Sequence, residues 1–158
     1  SIIGSFGKQG LGYEIAVLRD ELKRILNLDK EIKVGIIGVG NLGHAIARYI
    51  TQKYATEKDF HLKLVALFDS DPEVLGELIN GVPIDLIDTF HAKALELGFR
   101  MVVIAVPAEE AQAVMDKCAA AGIEAVLNFA PIHLKAPKEI RVHNTDLSID
   151  LMHLAYYL

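Results

Sequence analysis

The chain has 158 residues, of which 52% are hydrophobic, and it carries a formal net charge of −5 at neutral pH. A chain of this size can bury the core of one globular domain, and its acidic balance argues against a broad basic surface for nucleic acid. The single cysteine, Cys118, excludes an internal disulfide and a multi-cysteine metal site, which favours a cytoplasmic protein. No apolar run reaches the ~20 residues that a membrane-spanning helix needs, so we expect no membrane partner.

The first thirty residues predict a turn-rich segment followed by one helix. Glycines are frequent within residues 1–13, too frequent for the interior of a helix. From Tyr13 to Leu28, apolar residues recur at helical spacing and charged residues fill the opposite face. We therefore expect an amphipathic helix ahead of the main domain.

Residues 31–145 alternate short apolar runs with helical segments. Strands are predicted at 34–38, 62–69, 100–107, 124–130 and 140–144, and helices at 42–53, 88–97 and 109–121. Between 72 and 88 the pattern is mixed, with a turn at Asn80-Gly81 and a short apolar run at 83–87. Apolar runs without polar alternation are typical of strands that are buried on both faces of a parallel sheet. The order of elements predicts an α/β fold, a doubly wound parallel Rossmann sheet.

The run GVGNLG follows the first of these strands and opens a helix. In such a loop the first glycine allows a tight turn, the second lets a pyrophosphate approach the backbone, and the third lets the helix pack on the strand. A purely structural turn is the alternative. The residues predicted to hold the pyrophosphate are Gly38, Val39, Gly40, Asn41, Leu42 and Gly43.

Asp69 ends the second predicted strand, where an acidic residue can accept hydrogen bonds from the adenosine ribose. A 2′-phosphate would meet the carboxylates of Asp69 and Asp71, so we expect NADH and NAD⁺ as ligands rather than their phosphorylated counterparts. The alternative is that Asp69 only forms the turn that ends the strand.

Two later strands end in short motifs that contain proline, at the edge of the sheet where doubly wound folds bind ligands. Their prolines would stiffen loops facing a nicotinamide, or they would simply stop the strands. The residues predicted to contact the cofactor here are Ala105, Val106, Pro107, Asn128, Phe129 and Pro131.

No residue is predicted to be catalytic. A dehydrogenase needs a proton donor or acceptor and a substrate pocket, and only about thirty residues follow the sheet. The six histidines show no close metal-binding pair, so no metal ligand is predicted either. Cys118 is expected to be a buried packing residue.

Residues 146–158 predict a helix that is apolar on nearly every side. Such a helix needs burial on more than one face.

Several motifs together carry a family resemblance. They are SIIGSFGKQGLGY at 1–13, GVGNLG at 38–43, FDSDP at 68–72, AVPAEEAQ at 105–112, AGIEAVLNFAP at 121–131 and NTDL at 144–147. In these motifs the whole chain resembles the Rex family of redox-sensing transcriptional repressors. The resemblance implies a winged-helix DNA-binding domain followed by a Rossmann domain that binds NADH or NAD⁺, with NADH releasing operator DNA.

The resemblance also implies a division of the chain. Residues 1–30 would be the remnant of a wing and a linker helix, residues 31–145 the NAD(H)-binding domain, and residues 146–158 a domain-swapped helix of a homodimer. Operator DNA would be bound only through the winged helix, which this chain lacks.

An inter-subunit switch is implied as well, formed by Tyr49, Asp146 and Leu147. Asp146 would pair with Tyr49 of the partner subunit in the NADH state. Without the resemblance, an N-cap for Asp146 and a core position for Tyr49 are sufficient explanations.

Two other functions stay open at this point. One is an NAD-dependent dehydrogenase. The other is a CoA-binding Rossmann domain like that of acyl-CoA ligase α subunits, which residues 106–129 also resemble.

Overall fold

A computed structural model of the chain describes residues 31–145, together with Ala16 and Arg19, which are both helical. The remaining residues of the predicted N-terminal helix lie outside the described residues, and so does the predicted last helix with Asp146 and Leu147. What was predicted for these segments stays a prediction.

The described residues form one seven-stranded sheet in the order β3-β4-β2-β1-β5-β6-β7. The strands are β1 (Ile32–Ile37), β2 (Leu62–Asp69), β3 (Leu78–Ile79), β4 (Val82–Leu86), β5 (Met101–Ile104), β6 (Ala125–Asn128) and β7 (Arg141–Asn144). Every neighbouring pair is parallel except β3 and β4, which form an antiparallel hairpin. Without β3, the strands have the order of a doubly wound Rossmann sheet, so the predicted fold class is confirmed.

Helices cover both faces of this sheet. They are α1 (Asn41–Thr56), α2 (Phe90–Leu97) and α3 (Ala108–Ala120). Neighbouring residues of β5 divide between the two sides: Met101 and Val103 pack in the core beneath α1, whereas Val102 and Ile104 pack beneath α2 and α3. This two-sided burial explains why the strands show no polar alternation. No helix within the described residues is long and apolar enough to cross a membrane.

The region from 72 to 98, whose sequence pattern is mixed, begins with a short 3-10 helix and the β3–β4 hairpin. The hairpin loop is Asn80-Gly81, with φ values of 48° and 89°. Positive φ at both loop residues is the geometry that Asn-Gly favours between two antiparallel strands. The predicted turn is therefore confirmed.

A loop, rather than a helix, connects β6 to β7. The Gln112 side chain on α3 holds this loop, because its amide nitrogen donates to the Lys135 carbonyl oxygen and its amide oxygen accepts from the Lys135 N–H, both at 2.9 Å. Apolar side chains at Leu134, Ala136 and Ile140 pack against the core beneath α3. The loop thus covers part of the sheet face that a crossover helix would cover.

Three phenylalanines anchor the core beneath α2. The ring of Phe68 on β2 lies 5.1 Å from that of Phe90 on α2, and the Phe90 and Phe99 rings are 5.7 Å apart, measured between centroids. All three side chains are buried. Edge-to-face contacts of this kind add to the stabilisation that comes from burying the rings.

Replacing Phe90 with alanine should lower the free energy of unfolding by about 3–5 kcal/mol, because it empties a packed aromatic site. Leu95→Ala on the same helix is the matched control, since Leu95 is 78% exposed, and its effect should stay within about 0.5 kcal/mol. Urea denaturation of the three proteins measures both values. Equal losses in the two variants would contradict the assignment of Phe90 to the core.

Candidate functional site

A cleft of about 650 Å³ opens at the carboxyl edge of the sheet, where β1 lies between β2 and β5. Its walls come from the loop after β1, the ends of β2 and β5, and one side of α3. The chain leaves β1 toward β2 on one side and returns to β5 on the other, so the strand order reverses here. This is the place where doubly wound sheets bind their ligands.

The first and third glycines of the loop lie where backbone segments approach each other closely. Gly38 has a φ of +99°, and a Cβ there would lie 2.5 Å from the carbonyl oxygen of Ala105 on the neighbouring strand end. A Cβ on Gly43 would overlap the carbonyl oxygen of Gly38. Any larger residue at either position would push α1 or the end of β5 away from the loop.

The second glycine has the opposite surroundings. A Cβ on Gly40 would meet no atom within 4 Å, and Gly40 lines the cleft. Gly40 is also the N-cap of α1, with no side-chain hydrogen bond to the helix and no acidic residue in the first turn. The first amides of α1 therefore have no partner within the helix, and together with the helix dipole they suit an anion such as a phosphate.

Asp69 is held in one orientation by two backbone amides. Its Oδ2 accepts from the Val39 N–H at 2.8 Å, and its Oδ1 accepts from the Asp71 N–H at 2.9 Å. The side chain is half-buried and lines the cleft. Asp69 thus shapes the turn after β2, as one interpretation predicted, and it also presents a fixed carboxylate to the cleft.

Asp71, predicted to repel a 2′-phosphate together with Asp69, uses its carboxylate elsewhere. Its Oδ1 accepts from the Glu73 N–H at 2.9 Å, which caps the 3-10 helix Pro72–Val74. Asp71 is not among the residues that line the cleft.

The two strand ends that carry proline are placed differently. Ala105, Val106 and Pro107 line the cleft after β5. The end of β6 reaches the same edge of the sheet, but its residues do not line this cleft.

Asn128 at the end of β6 organises the loop that follows it. It is fully buried, and its amide nitrogen donates to the carbonyl oxygen of Ile132 at 2.8 Å and to the side-chain oxygen of Asn144 at 2.9 Å. Phe129 is buried in the core beneath α1, and Pro131 is exposed. For these residues a contact with a cofactor stays a prediction.

Tyr49 is half-buried on α1 and contacts the side chains of Phe60 and Lys53. Its ring meets that of Phe60 edge-on at 6.4 Å between centroids, and the Lys53 ammonium lies 5.6 Å from its centroid. It does not line the cleft.

The sequence interpretation missed three charged residues of the cleft, which are Glu109, Glu110 and Lys117 on α3. The Ser70 hydroxyl at the end of β2 donates to Oε1 of Glu110 at 3.5 Å. A pattern in the sequence could have indicated them. The buried face of α3 is formed by Ala111, Val114, Met115 and Cys118, and the three charged residues lie beside that face on the helix surface.

The described residues support neither a metal site nor a reactive cysteine. No group of three or more His, Cys, Asp or Glu side chains there is placed to hold a metal ion. Burial raises the pKa of the Cys118 thiol to about 12, so this cysteine stays protonated near neutral pH and is a poor nucleophile.

A family described as the CoA binding domain matches residues 29–132. Among curated proteins, the chain is similar to the redox-sensing transcriptional repressor Rex of Brevibacillus brevis, with 39% identity over 98% of this chain and 72% of that protein. The Rex protein of Chloroflexus aurantiacus is 41% identical over 100% of this chain and 72% of its own length.

Solved structures agree with these relatives. RSP, a Rex-family repressor, superposes with a TM-score of 0.74 and 32% identity over 90% of this chain and 66% of that one. RSP has also been solved in complex with β-NAD⁺ and operator DNA, and in complex with β-NADH. The chain thus spans about two thirds of the RSP chain. A UDP-D-quinovosamine 4-dehydrogenase from Vibrio fischeri, at 20% identity and a TM-score of 0.53, shares the fold alone.

Replacing Gly43 with alanine should lower the free energy of unfolding by about 3 kcal/mol, because the new methyl group overlaps the Gly38 carbonyl oxygen. Gly40→Ala is the matched control, since its methyl group enters open space; its effect should stay within about 1 kcal/mol. Thermal and urea denaturation compare the two. Equal stability of Gly43→Ala and Gly40→Ala would contradict the close approach of α1 to the loop.

Proposed function

Because the chain belongs to the Rex family of redox-sensing transcriptional repressors, we propose that its cleft binds NADH and NAD⁺. The chain is then the sensing part of a repressor that responds to the ratio of the two. The observation that carries the proposal is the open, uncapped amino end of α1 at Gly40, beside the oriented carboxylate of Asp69.

In this proposal the pyrophosphate lies against residues 38–43. The free amides at the start of α1 donate to its oxygens, and the open space at Gly40 lets it approach the backbone. Each oxygen of Asp69 accepts one backbone amide and keeps a lone pair for a ribose hydroxyl. Ile87 and Val114 supply an apolar surface for the adenine.

The nicotinamide lies toward the strand ends that carry proline. Ala105, Val106 and Pro107 line the cleft there, and we assign Asn128, Phe129 and Pro131 to the same end because β6 is the next strand at this edge. The two forms of the ligand differ by a hydride, and therefore by the charge of the nicotinamide ring. A sensor must bind the two forms unequally in its two conformations, because a ligand with equal affinity for both shifts nothing.

The response is assigned to a homodimer. The Tyr49 hydroxyl on α1 would donate to the partner subunit's Asp146 in the NADH state, next to Leu147, and residues 146–158 would be the exchanged helix. Residues 1–30 would join this domain to a winged helix that contacts operator DNA. The RSP complexes with operator DNA and with NADH support a link between the ligand and the operator, and Tyr49 is partly exposed on α1. We place the repressor in the cytoplasm.

The two other candidate functions are less well supported. No histidine or tyrosine is among the residues that line the described cleft. Its Glu109, Glu110 and Lys117 all lie on α3, away from the strand ends to which we assign the nicotinamide, so a dehydrogenase would lack a proton donor at the reacting ring. Coenzyme A carries a 3′-phosphate on its adenosine ribose, and that phosphate would meet the carboxylate of Asp69.

Calorimetric titration of the purified chain tests the proposal directly. We expect NADH to bind tightly, NAD⁺ more weakly and NADPH least, with no competition from CoA. Absorbance of the reduced nicotinamide should stay constant, because no substrate is turned over. Absence of NADH binding, or steady oxidation of NADH with a metabolite, would overturn the proposal.

Gly40→Ala should weaken NADH binding by about tenfold or more, since the methyl group takes the space of the pyrophosphate and its amide hydrogen bonds are lost. The same titration measures the change. The stability of this variant, compared above with that of Gly43→Ala, controls for unfolding. An unchanged affinity of Gly40→Ala for NADH would contradict the binding of the pyrophosphate at this loop.

A further inference from the structure

The charged groups that line the cleft are unequal in sign. Asp69, Glu109 and Glu110 supply carboxylates, and Lys117 supplies one ammonium. Only the first of these is assigned a ligand contact by the proposed function. The others lie on α3, on the side of the cleft opposite the end of β2.

Glu110 approaches the end of β2, where Asp69 marks the proposed ribose position. Its Oε1 is 3.5 Å from the hydroxyl of Ser70, the residue directly after Asp69. Both Glu110 and Ser70 are exposed at the mouth of the cleft. Glu110 and Asp69 therefore present carboxylates to the same end of the cleft from opposite sides.

Lys117 does not neutralise Glu110, and Asp71 does not take its place. Lys117 lies seven residues further along α3, which places it about 10 Å along the helix axis from Glu110. Asp71 uses its carboxylate to cap the 3-10 helix and does not line the cleft. The end of the cleft beside Asp69 is thus acidic from two sides.

We infer that Glu110 is a specificity-determining residue: with Asp69 it excludes a dinucleotide that carries a 2′-phosphate on its adenosine ribose. The inference rests on the proposed binding of NADH. A 2′-phosphate would bring a doubly charged group between the two carboxylates, and repulsion in a partly exposed cleft reaches several ångströms. NADH places only a neutral hydroxyl there.

The test compares Glu110→Gln with Asp71→Asn by calorimetric titration with NADH and with NADPH. Each variant removes one carboxylate charge and keeps the size of the side chain, but only Glu110 lines the cleft. Glu110→Gln should bind NADPH roughly fivefold more tightly than the unchanged chain and NADH about equally. Asp71→Asn should stay within about twofold for both ligands.

Ionic strength separates charge repulsion from a change of shape. Raising the salt from about 0.02 M to about 0.5 M shortens the screening length to a few ångströms. The advantage of Glu110→Gln for NADPH should therefore shrink at high salt. An advantage that is independent of salt would contradict the electrostatic account.

The outcomes distinguish the two proposals. If the unchanged chain binds no NADH, the proposed function fails and this inference fails with it. If NADH binds but Glu110→Gln and Asp71→Asn show the same affinity for NADPH, only the role of Glu110 is overturned. Equal weakening of NADH and NADPH in Glu110→Gln would also overturn it, because that result assigns Glu110 to general ligand binding.

Discussion

The site depends on one constraint, the approach of three backbone segments to one another at the end of β1. The loop passes so close to the end of β5 at Gly38, and to α1 at Gly43, that neither position has room for a Cβ. The parallel pairing of Ile37 with Ile104 brings β1 and β5 to the same edge. Because these contacts join backbone to backbone, the amino end of α1 is held in place without any capping side chain. An open amino end held this rigidly can receive an anion with little reorganisation.

Much of the fold could be predicted, because burial on both sides leaves a mark in the linear sequence. The strand predicted at 62–69 has the bounds of β2, and the turn at Asn80-Gly81 follows from the backbone freedom of those two residue types. The glycine loop was also recognisable, since its requirements come from its immediate neighbours along the chain. The motifs that resemble Rex indicated the family to which the relatives assign the chain.

The orientation of side chains across the cleft could not be predicted in the same way. Asp71 and Glu110 are both acidic and both near the ends of strands, yet one caps a helix and the other faces the cleft. Which of the two carboxylates faces the cleft depends on how α3 packs against the sheet, and residues distant in the sequence decide that packing. Asn128 is a similar case, since its buried amide joins segments that only the folded chain brings together.

The amide clamp between Gln112 and Lys135 has a mechanical consequence. Glu110 lines the cleft, while Gln112, two residues later on the same helix, holds the loop that leads into β7. At the end of β7 the Thr145 N–H donates to the Asn128 carbonyl oxygen at 2.9 Å, just before residues 146–158 begin. One helix thus forms a wall of the cleft and also holds the loop that leads into β7. A displacement of α3 would break or strain the two amide hydrogen bonds to Lys135 unless this loop moved with it.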